Sequence, residues 1–302
     1  MATSILITGA SGLVGSRLTE LFLQKGYQVA HLGREKKSGS VPSFVWDVKK
    51  GKLDPAALAG VDTIIHLAGA GVADKRWSEE RKKEILESRT LSSALLYNTL
   101  KNEKHSVKTF ISASAIGIYG FGLDDNIVAT EESEYGTDFL STVVVRWEKE
   151  VDNITSLGIR VSKIRIGIVL SEKGGALTEM ARPVKLFVGS PLGSGRQILS
   201  WIHMDDLCGI FLKAVEDGAM VGAYNAVAPH PVSNREMTKA IAKILHKPLW
   251  APAVPGFVLH IVIGEMAVIV INGRNVSADK IQRAGYQFRF TELETALKDL
   301  YS

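Results

Sequence analysis

Ser4-Ile-Leu-Ile-Thr8-Gly9-Ala-Ser-Gly12-Leu-Val-Gly15 is the stretch that decides the fold. An apolar run passes straight into three glycines at three-residue spacing, and an amphipathic pattern (Leu13, Val14, Leu18, Leu21, Phe22) follows. In that setting Gly9 permits a sharp turn, Gly12 lets backbone approach a diphosphate, and Gly15 lets helix and strand pack closely. The free N–H groups at the helix start would face phosphate charge. A glycine triplet that leaves a strand and opens a helix predicts nucleotide binding; the competing reading is an α/β loop that binds nothing there.

Downstream, strand and helix patterns alternate, which predicts a parallel sheet covered on both faces. Strands are expected over Tyr27 to Leu32, after Gly26 ends the first helix, and over Phe44 to Val48, Asp62 to Leu67, Thr109 to Ala113 and Arg160 to Val169. Asp54-Pro55 reads as a helix cap followed by proline at the first helical position. Longer helices are expected from Ser78 to Leu100 and over roughly 138–156. After Leu170, glycine-rich turns (Gly174-Gly175, Gly189, Gly193-Ser-Gly195) alternate with short elements and the pattern becomes α+β. Ser233-Asn-Arg-Glu236 and Thr291-Glu-Leu-Glu294 both read as capping boxes.

The chain has 302 residues, 46% hydrophobic and 23% charged, and one cysteine, Cys208. That suits a soluble protein in a reducing cytosol with no internal disulfide. It begins on the first strand, with no signal peptide in view. The longest apolar run, Phe257 to Ile271, contains His260, Gly264 and Glu265. It falls short of the roughly 20 residues a membrane span needs and is expected to be a buried helix. The net charge of +4 is mild, and no basic stripe with interleaved aromatics suggests nucleic acid. No membrane, nucleic-acid or metal partner is expected; an anionic small ligand is.

Strand two runs out into His31-Leu-Gly33-Arg34, with Lys36 and Lys37 close behind. A site built for NAD places an acidic side chain here to hold both ribose hydroxyls. A guanidinium instead grips a 2′-phosphate through parallel charge-assisted hydrogen bonds. NADP(H) is therefore expected over NAD(H), the alternative being solvated loop charges. Asp47, at the end of strand three, is placed to accept from an adenine amine. His66-Leu67-Ala68-Gly69 ends strand four, and His66 reads as structural or cofactor-lining rather than catalytic.

Thr8-Gly-Ala-Ser-Gly-Leu-Val-Gly15, His66-Leu-Ala-Gly69 and Ser112-Ala-Ser-Ala-Ile-Gly-Ile-Tyr-Gly120 resemble the extended short-chain dehydrogenase/reductases, the NAD-dependent epimerase/dehydratase family. Arg76-Trp77, Ser88-Arg89, Arg146-Trp147-Glu148, Gly193-Ser-Gly195-Arg-Gln197 and Trp201-Ile-His203 are similar to marks of one epimerase subgroup, sometimes labelled cell-division-inhibitor-like. Gly264-Glu-Met266 with Gly285-Tyr286 resembles its C-terminal domain. The resemblance covers nearly the whole chain. It implies that Gly9, Gly12, Leu13 and Val14 hold the pyrophosphate, Arg34 the 2′-phosphate, and Leu67 and Ala68 the ribose side; Ser11, Gly33 and His66 are expected among the cofactor-binding residues beside them. It further implies Lys83 near the nicotinamide ribose and phosphates, and Ile168 against the carboxamide.

One part of the family pattern is missing. Extended members pair a Ser at the end of strand five with a Tyr-x-x-x-Lys on the next helix, the Lys lowering the Tyr pKa for proton transfer. Ser114 fills the serine slot, but the Tyr and Lys slots fall near Leu140 and Val144. Tyr97 and Lys101 have the spacing yet precede Ser114 in the chain, and read as a decoy on an outer helix. Substitutes for the proton relay are Tyr119, Tyr135, Arg146 and His203, each with a structural alternative. Arg146 is placed to pair with Glu150, and His203 with Asp205 to cap the helix at Leu207. Arg182, Lys185 and Arg196 either meet a substrate anion or form a solvated basic face.

The expectation is an α/β protein with a Rossmann doubly wound parallel sheet over residues 1–170, to which 205–228 return. A smaller α+β C-terminal substrate lobe covers 171–302. Function divides two ways. One is a cytoplasmic NADP(H)-dependent oxidoreductase or nucleotide-sugar epimerase-like enzyme on a small polar substrate, with Ser114 and Tyr119 as catalytic candidates. The other is an NADP(H)-binding sensor or regulatory protein with little or no turnover. Homodimerisation through the two long helices is the family habit.

Overall fold

The computed structural model describes residues 3–121 and 127–302. β1 (Ser4–Thr8) feeds α1 (Leu13–Gln24), and β2 (Gln28–Gly33), β3 (Ser43–Asp47) and the two-residue β4 (Lys52–Leu53) follow. A 3-10 turn over Pro55–Leu58 starts where Asp54 accepts from Ala56 N at 3.0 Å, as its sequence demands. β5 (Thr63–His66), α2 (Glu79–Asn102), β6 (Thr109–Ala115), α3 (Phe139–Asp152) and β7 (Arg160–Ile166) complete the alternating half. Ser78 caps α2 and Asp138 caps α3, each accepting from a backbone N–H three residues on.

The eight-stranded sheet has the order β11-β7-β6-β5-β1-β2-β3-β4. Its pairs are parallel except β3–β4. This is the doubly wound arrangement, with β1 and β5 adjacent at the reversal of strand order, where such sheets bind ligands. The central strands read as unbroken apolar runs because helices cover both faces: Ile5, Leu6, Ile7, Ile64, Ile65, Phe110 and Ile111 are fully buried.

Arg160 to Val169 is not one strand. β7 stops at Ile166, and β8 (Ile168–Leu170) belongs to a separate two-stranded sheet with β10 (Trp201–His203). Gly167 makes the exchange, since its N–H still donates to Ala226 O at 3.1 Å while Ile168 N donates to Ser200 O at 2.9 Å. A Cβ on Gly167 would overlap Ser200 O, so only glycine fits between the two ladders.

Beyond β8 come α4 (Ala176–Lys185), β9 (Ile198–Leu199), β10 and α5 (Met204–Glu216). Residues 204–226 then rejoin the large sheet: β11 (Gly222–Ala226) pairs with β7, and Leu207, Ile210 and Phe211 of α5 lie in its core. β12 (Val232–Ser233) and α6 (Asn234–Ile244) open with the Ser233/Glu236 capping box. Leu177, Val184, Trp201, Met237, Ile241 and Leu297 form a second, smaller core. The last helices are α7 (Gly256–Ile263), α8 (Ala267–Ile271), α9 (Asp279–Arg283) and α10 (Leu293–Tyr301).

Two local expectations fail here. The Phe257 to Ile271 run is not one buried helix: a turn at Gly264, φ 65°, splits it, and no residue of α7 is buried. Thr291 does not cap α10, whose first residue follows Glu292 with no side-chain cap. The glutamate that a box would use, Glu294, is engaged by Lys243 at 2.9 Å, and Glu292, the residue that stands at the N-cap instead, faces His230 at 2.5 Å. Among the described residues no helix is long and apolar enough to cross a membrane.

Candidate functional site

The site is assembled where β1, β2, β5, β6 and β7 end. Gly9 takes φ 67°, a conformation costly for residues with a Cβ, and a Cβ there would sit 2.9 Å from Leu67 C. A Cβ on Gly15 would overlap Gly9 O, so the helix packs onto the turn only as glycine. α1 has no side-chain cap and no acid in its first turn. Its leading N–H groups, with Ser11 and Gly12 exposed beside them, form a cradle with positive helix-end potential and nothing negative of the protein's own.

Below the cradle lies a hydrogen-bond chain that the sequence does not display. Thr8 Oγ1 accepts from Leu67 N at 3.1 Å and Ala68 N at 3.3 Å, and lies 2.7 Å from His66 Nδ1. With both amides donating to it, the Thr8 hydroxyl must give its proton to Nδ1, leaving the imidazole proton on Nε2. That proton points at Ser92 and Ser93 Oγ, 3.2 and 3.3 Å away, whose own hydroxyls donate to carbonyls of α2. Complete burial and the charge of Arg89 push the His66 pKa down to about 3, so the ring is neutral. Its side chain is fully enclosed. Of the two roles expected for His66, structural and cofactor-lining, its enclosure leaves the structural one in place of direct cofactor contact: it fixes Thr8, which fixes the Leu67–Ala68 backbone.

Gly33 ends β2, and Arg34 is exposed immediately after it. Among the described residues no carboxylate pairs with Arg34, although Glu35 is its neighbour. Asp47 accepts from Lys50 N at 3.1 Å, which holds its carboxyl below the usual range. Lys83 is exposed on α2 and paired with Glu87 at 3.8 Å. Ile168 is the first residue of β8, half-buried at the seam between the sheets.

Sequence reading used Arg89 only as a family mark, yet it is the most unusual cation of this edge. Its Nη1 donates to Ala70 O at 3.0 Å and Ile85 O at 2.9 Å, and its guanidinium stacks on Trp147 at 5.3 Å. No carboxylate pairs with it among the described residues. Burial and Arg81 pull its pKa down to about 10. A largely buried cation without an acid partner is expensive, and its position above Gly69 makes an anion in the groove its natural complement.

The proton-transfer corner is occupied by a closed network. Arg165 on β7 forks onto Glu148 of α3, Nε to Oε1 at 2.8 Å and Nη2 to Oε2 at 2.9 Å. Ser114 Oγ donates to the same Oε1 at 2.6 Å. Arg165 Nη1 donates to Tyr119 OH at 2.9 Å, and Tyr119 OH donates to Asn225 Oδ1 at 2.6 Å. Burial works against the charge on Glu148, but the Arg165 fork outweighs it and holds the carboxyl below its ordinary range. Tyr119 is itself buried, and burial pushes its phenol up to about 12 despite Arg165.

Tyr119 is therefore corrected from catalytic candidate to structural hydroxyl: it is enclosed, neutral and committed at both ends. Ser114 keeps its place at the end of β6, but its proton belongs to Glu148. Leu140 and Val144 occupy the Tyr and Lys slots of α3. Tyr97 and Lys101 lie near the end of α2, the ammonium 6.0 Å from the ring. Arg146 does not pair with Glu150, which instead accepts from Asn153 at 3.2 Å. His203 caps α5 by accepting from Asp205 N at 3.1 Å. Of the tyrosines named as substitutes, Tyr135 alone reaches solvent, its ring 5.6 Å from the Arg165 guanidinium.

The second lobe closes over this edge at two places. A Cβ on Gly175 would lie 3.3 Å from Leu13, so that loop lies against the head of α1. The turn after α7 meets the start of α2, Glu265 pairing with Lys82 at 2.5 Å. Trp77 and Phe139 meet edge to face at 5.0 Å beneath it.

The model of the NAD-dependent epimerase/dehydratase family matches residues 5–227, and a domain of unknown function, DUF1731, matches residues 254–300. The chain belongs to that epimerase/dehydratase family. It is 36% identical over 300 residues to epimerase family protein YfhF of Bacillus subtilis, covering 98% of this chain and 97% of that one. Among solved structures it is similar to the human epimerase family protein SDR39U1 with NADPH, at 29% identity, TM-score 0.87 and 99% of each chain. It is also similar to a nucleoside-diphosphate sugar epimerase from Corynebacterium glutamicum, at 31% identity and TM-score 0.81. That match spans all of this chain and 58% of the other. UDP-glucose 4-epimerase of Thermus thermophilus with NAD, 19% identical at TM-score 0.75, shares the fold.

Proposed function

We propose that this protein binds NADP(H) along the carboxyl edge of the large sheet and acts as an oxidoreductase or epimerase-like enzyme on a small polar substrate. The observation that carries this reading is Arg34, an exposed guanidinium directly beyond β2 with no acid partner among the described residues. The residues suit the cofactor. The uncapped head of α1 and the glycine turn would take the pyrophosphate on the amides of Leu13 and Val14, with Ser11 beside them and Gly12, whose own amide donates to Gly9 O at 3.0 Å, leaving room for its approach. Leu67 and Ala68, pinned by Thr8, would flank the ribose side, Arg89 would neutralise phosphate or ribose oxygens, and Ile168 would face the carboxamide. Lys83, tied to Glu87, contributes field rather than contact. The relative solved with NADPH supports the choice of cofactor, and the nucleoside-diphosphate sugar epimerase supports a polar, nucleotide-linked substrate.

NADP(H) would supply or accept hydride; the chain's own part is to position, exclude water and manage one proton. Leu140 and Val144 cannot carry a proton, and Tyr119 is sealed. Tyr135, exposed and with its ring 5.6 Å from the Arg165 guanidinium, is the tyrosine left to serve as the acid, while Ser114 Oγ can still accept a hydrogen bond from a substrate hydroxyl. A second reading, a nucleotide sensor with little turnover, is favoured by one feature: the Ser114 proton is spent on Glu148.

Calorimetric titration with NADPH and NADH tests the cofactor. Arg34→Ala should weaken NADPH by about 10- to 100-fold, the loss of a charge-assisted contact of roughly 1.5–3 kcal/mol, and leave NADH within about two-fold. Unchanged NADPH affinity ends the reading. NADPH oxidation across nucleotide sugars, quinones and aldehydes then separates the two functions. Turnover abolished by Tyr135→Phe supports the enzyme, and tight binding without turnover supports the sensor.

A further inference from the structure

Residues 255–272 leave the body of the second lobe and come back to the same place. Before α7, Val254 O accepts from Gly193 N at 2.8 Å and Val254 N donates to Pro191 O at 3.0 Å. After α8, Gly273 packs against Ile198 with no room for a Cβ, and Arg274 N donates to Ile198 O at 3.1 Å. Gln197 ties the returning chain from the side, its Nε2 donating to Val270 O at 2.8 Å and to Leu192 O at 3.0 Å. Both ends of the excursion are thus anchored on residues 191–198.

Between its anchors the excursion is lightly held. No residue of α7 is buried, and α8 buries Ala267 alone. The bend between them turns on Gly264, φ 65°, which lies against Arg76 of the loop that leaves β5: a Cβ there would sit 3.0 Å from Nη2. Glu265 then reaches Lys82 in the first turn of α2 at 2.5 Å. Lys82 is 21% exposed and Glu265 64%, so water screens the pair and it contributes little. Few buried apolar contacts and a solvated ion pair place the segment at the low end of local stability.

The bend rests on one wall of the cleft. Lys82 Nζ also stands 5.7 Å over the Phe139 ring, which meets Trp77 edge to face at 5.0 Å. Phe139 opens α3 immediately before Leu140, the residue in the family's tyrosine slot. We propose that residues 255–272 are a hinged flap that gates passage of ligand to this end of the cleft, with the Lys82–Glu265 pair as its latch. The ligand it admits is the NADP(H) of the proposed function, and to that extent the gate rests on that reading. Its hinges are the two anchored ends and Gly264. Both anchors lie within the second lobe, so the flap opens without moving the lobe itself.

A gate scales entry and exit by one factor, so it changes rates and leaves affinity alone. Stopped-flow fluorescence with NADPH reads both rates on the full chain. Glu265→Gln should raise kon and koff together by about three- to five-fold, the scale of a partly exposed ion pair, with Kd within about two-fold. Lys82→Glu with Glu265→Lys rebuilds the pair and should restore the parent rates. Lys82→Cys with Glu265→Cys, bridged by a short bis-methanethiosulfonate, should slow both rates about ten-fold or more until dithiothreitol frees the flap. Cys208 is 1% exposed and does not compete for the reagent. A change in kon alone, or parent rates in both Glu265→Gln and the bridged protein, overturns the proposal. Hydrogen exchange decides it without ligand: the amides of 257–263 should exchange faster in Glu265→Gln while those of β1 do not change. A flap that exchanges as slowly as β1 overturns the gate. Failure of the parent to bind NADPH defeats the proposed function instead, and the exchange result still stands.

Discussion

Replacing Glu148 by glutamine tests the network at the heart of the cleft. The change keeps shape and one acceptor but removes the charge that Arg165 forks onto at 2.8 and 2.9 Å. Arg165 is 2% exposed and Glu148 5%, so solvent does not screen the loss. Breaking one partner of such a pair costs about 3–5 kcal/mol, most of it the uncompensated guanidinium. For a chain of 302 residues that lowers the thermal midpoint by roughly 5–8 °C. Removing both charges with Glu148→Leu and Arg165→Met should recover at least half of the loss, because an apolar pair carries no desolvation debt. Recovery stays incomplete, since Ser114 and Tyr119 lose partners. Urea denaturation at pH 7, followed by circular dichroism, measures all three proteins. A single variant within about 1 kcal/mol of the parent, or a double variant no more stable than the single one, refutes the argument. The acid side gives an independent check. Glu148 has a folded pKa below its unfolded value, so its stabilisation is present above about pH 4.3 and lost as pH falls through the folded value. The double variant should lack that part of the acid transition.

His66, depressed from 6.5 to about 3, favours the fold above pH 6.5 and costs up to about 1.4 kcal/mol per pH unit below it until about pH 3; His66→Asn should flatten that slope in denaturation series at pH 7, 6 and 5. Burial pushes the Cys208 thiol up to about 12, so alkylation by iodoacetamide in native buffer should be undetectable by mass spectrometry and complete in urea. Arg89→Ala should weaken NADPH and NADH alike by about ten-fold in the same calorimetry, because it removes a cation not tied to the 2′-phosphate; selective loss of NADPH would show that its place is wrong.

The turn at Gly9 to Gly15 and the alternation behind it made the sheet legible, because in a parallel sheet each strand is a self-contained apolar run. Local chemistry was legible too where it closes within four residues, as at Asp54 and the Ser233/Glu236 box. It failed where distant partners compete: Glu294 reaches Lys243, 51 residues away, and no capping box forms at Thr291. Composition could not say which side of a helix meets water, so the 257–271 run read as core. Arg89 and the Glu148–Arg165 fork were hidden for the same reason. Their meaning lies in which charges lack partners and which have them, and strand pairing across 17 or more residues decides that.

Gly167 has one further consequence. The same strand serves first as a stave of the cofactor layer and then as a stave of the lobe above it, with a single residue without a side chain between. The lobe is thus not hung on a loose tether: at this point its pose is inherited from the sheet, and a closing movement must flex this joint together with the crossings between β10 and α5 and between β11 and β12. Enlarging it to alanine would pry the two layers apart and change the width of the mouth without touching a residue that meets the ligand.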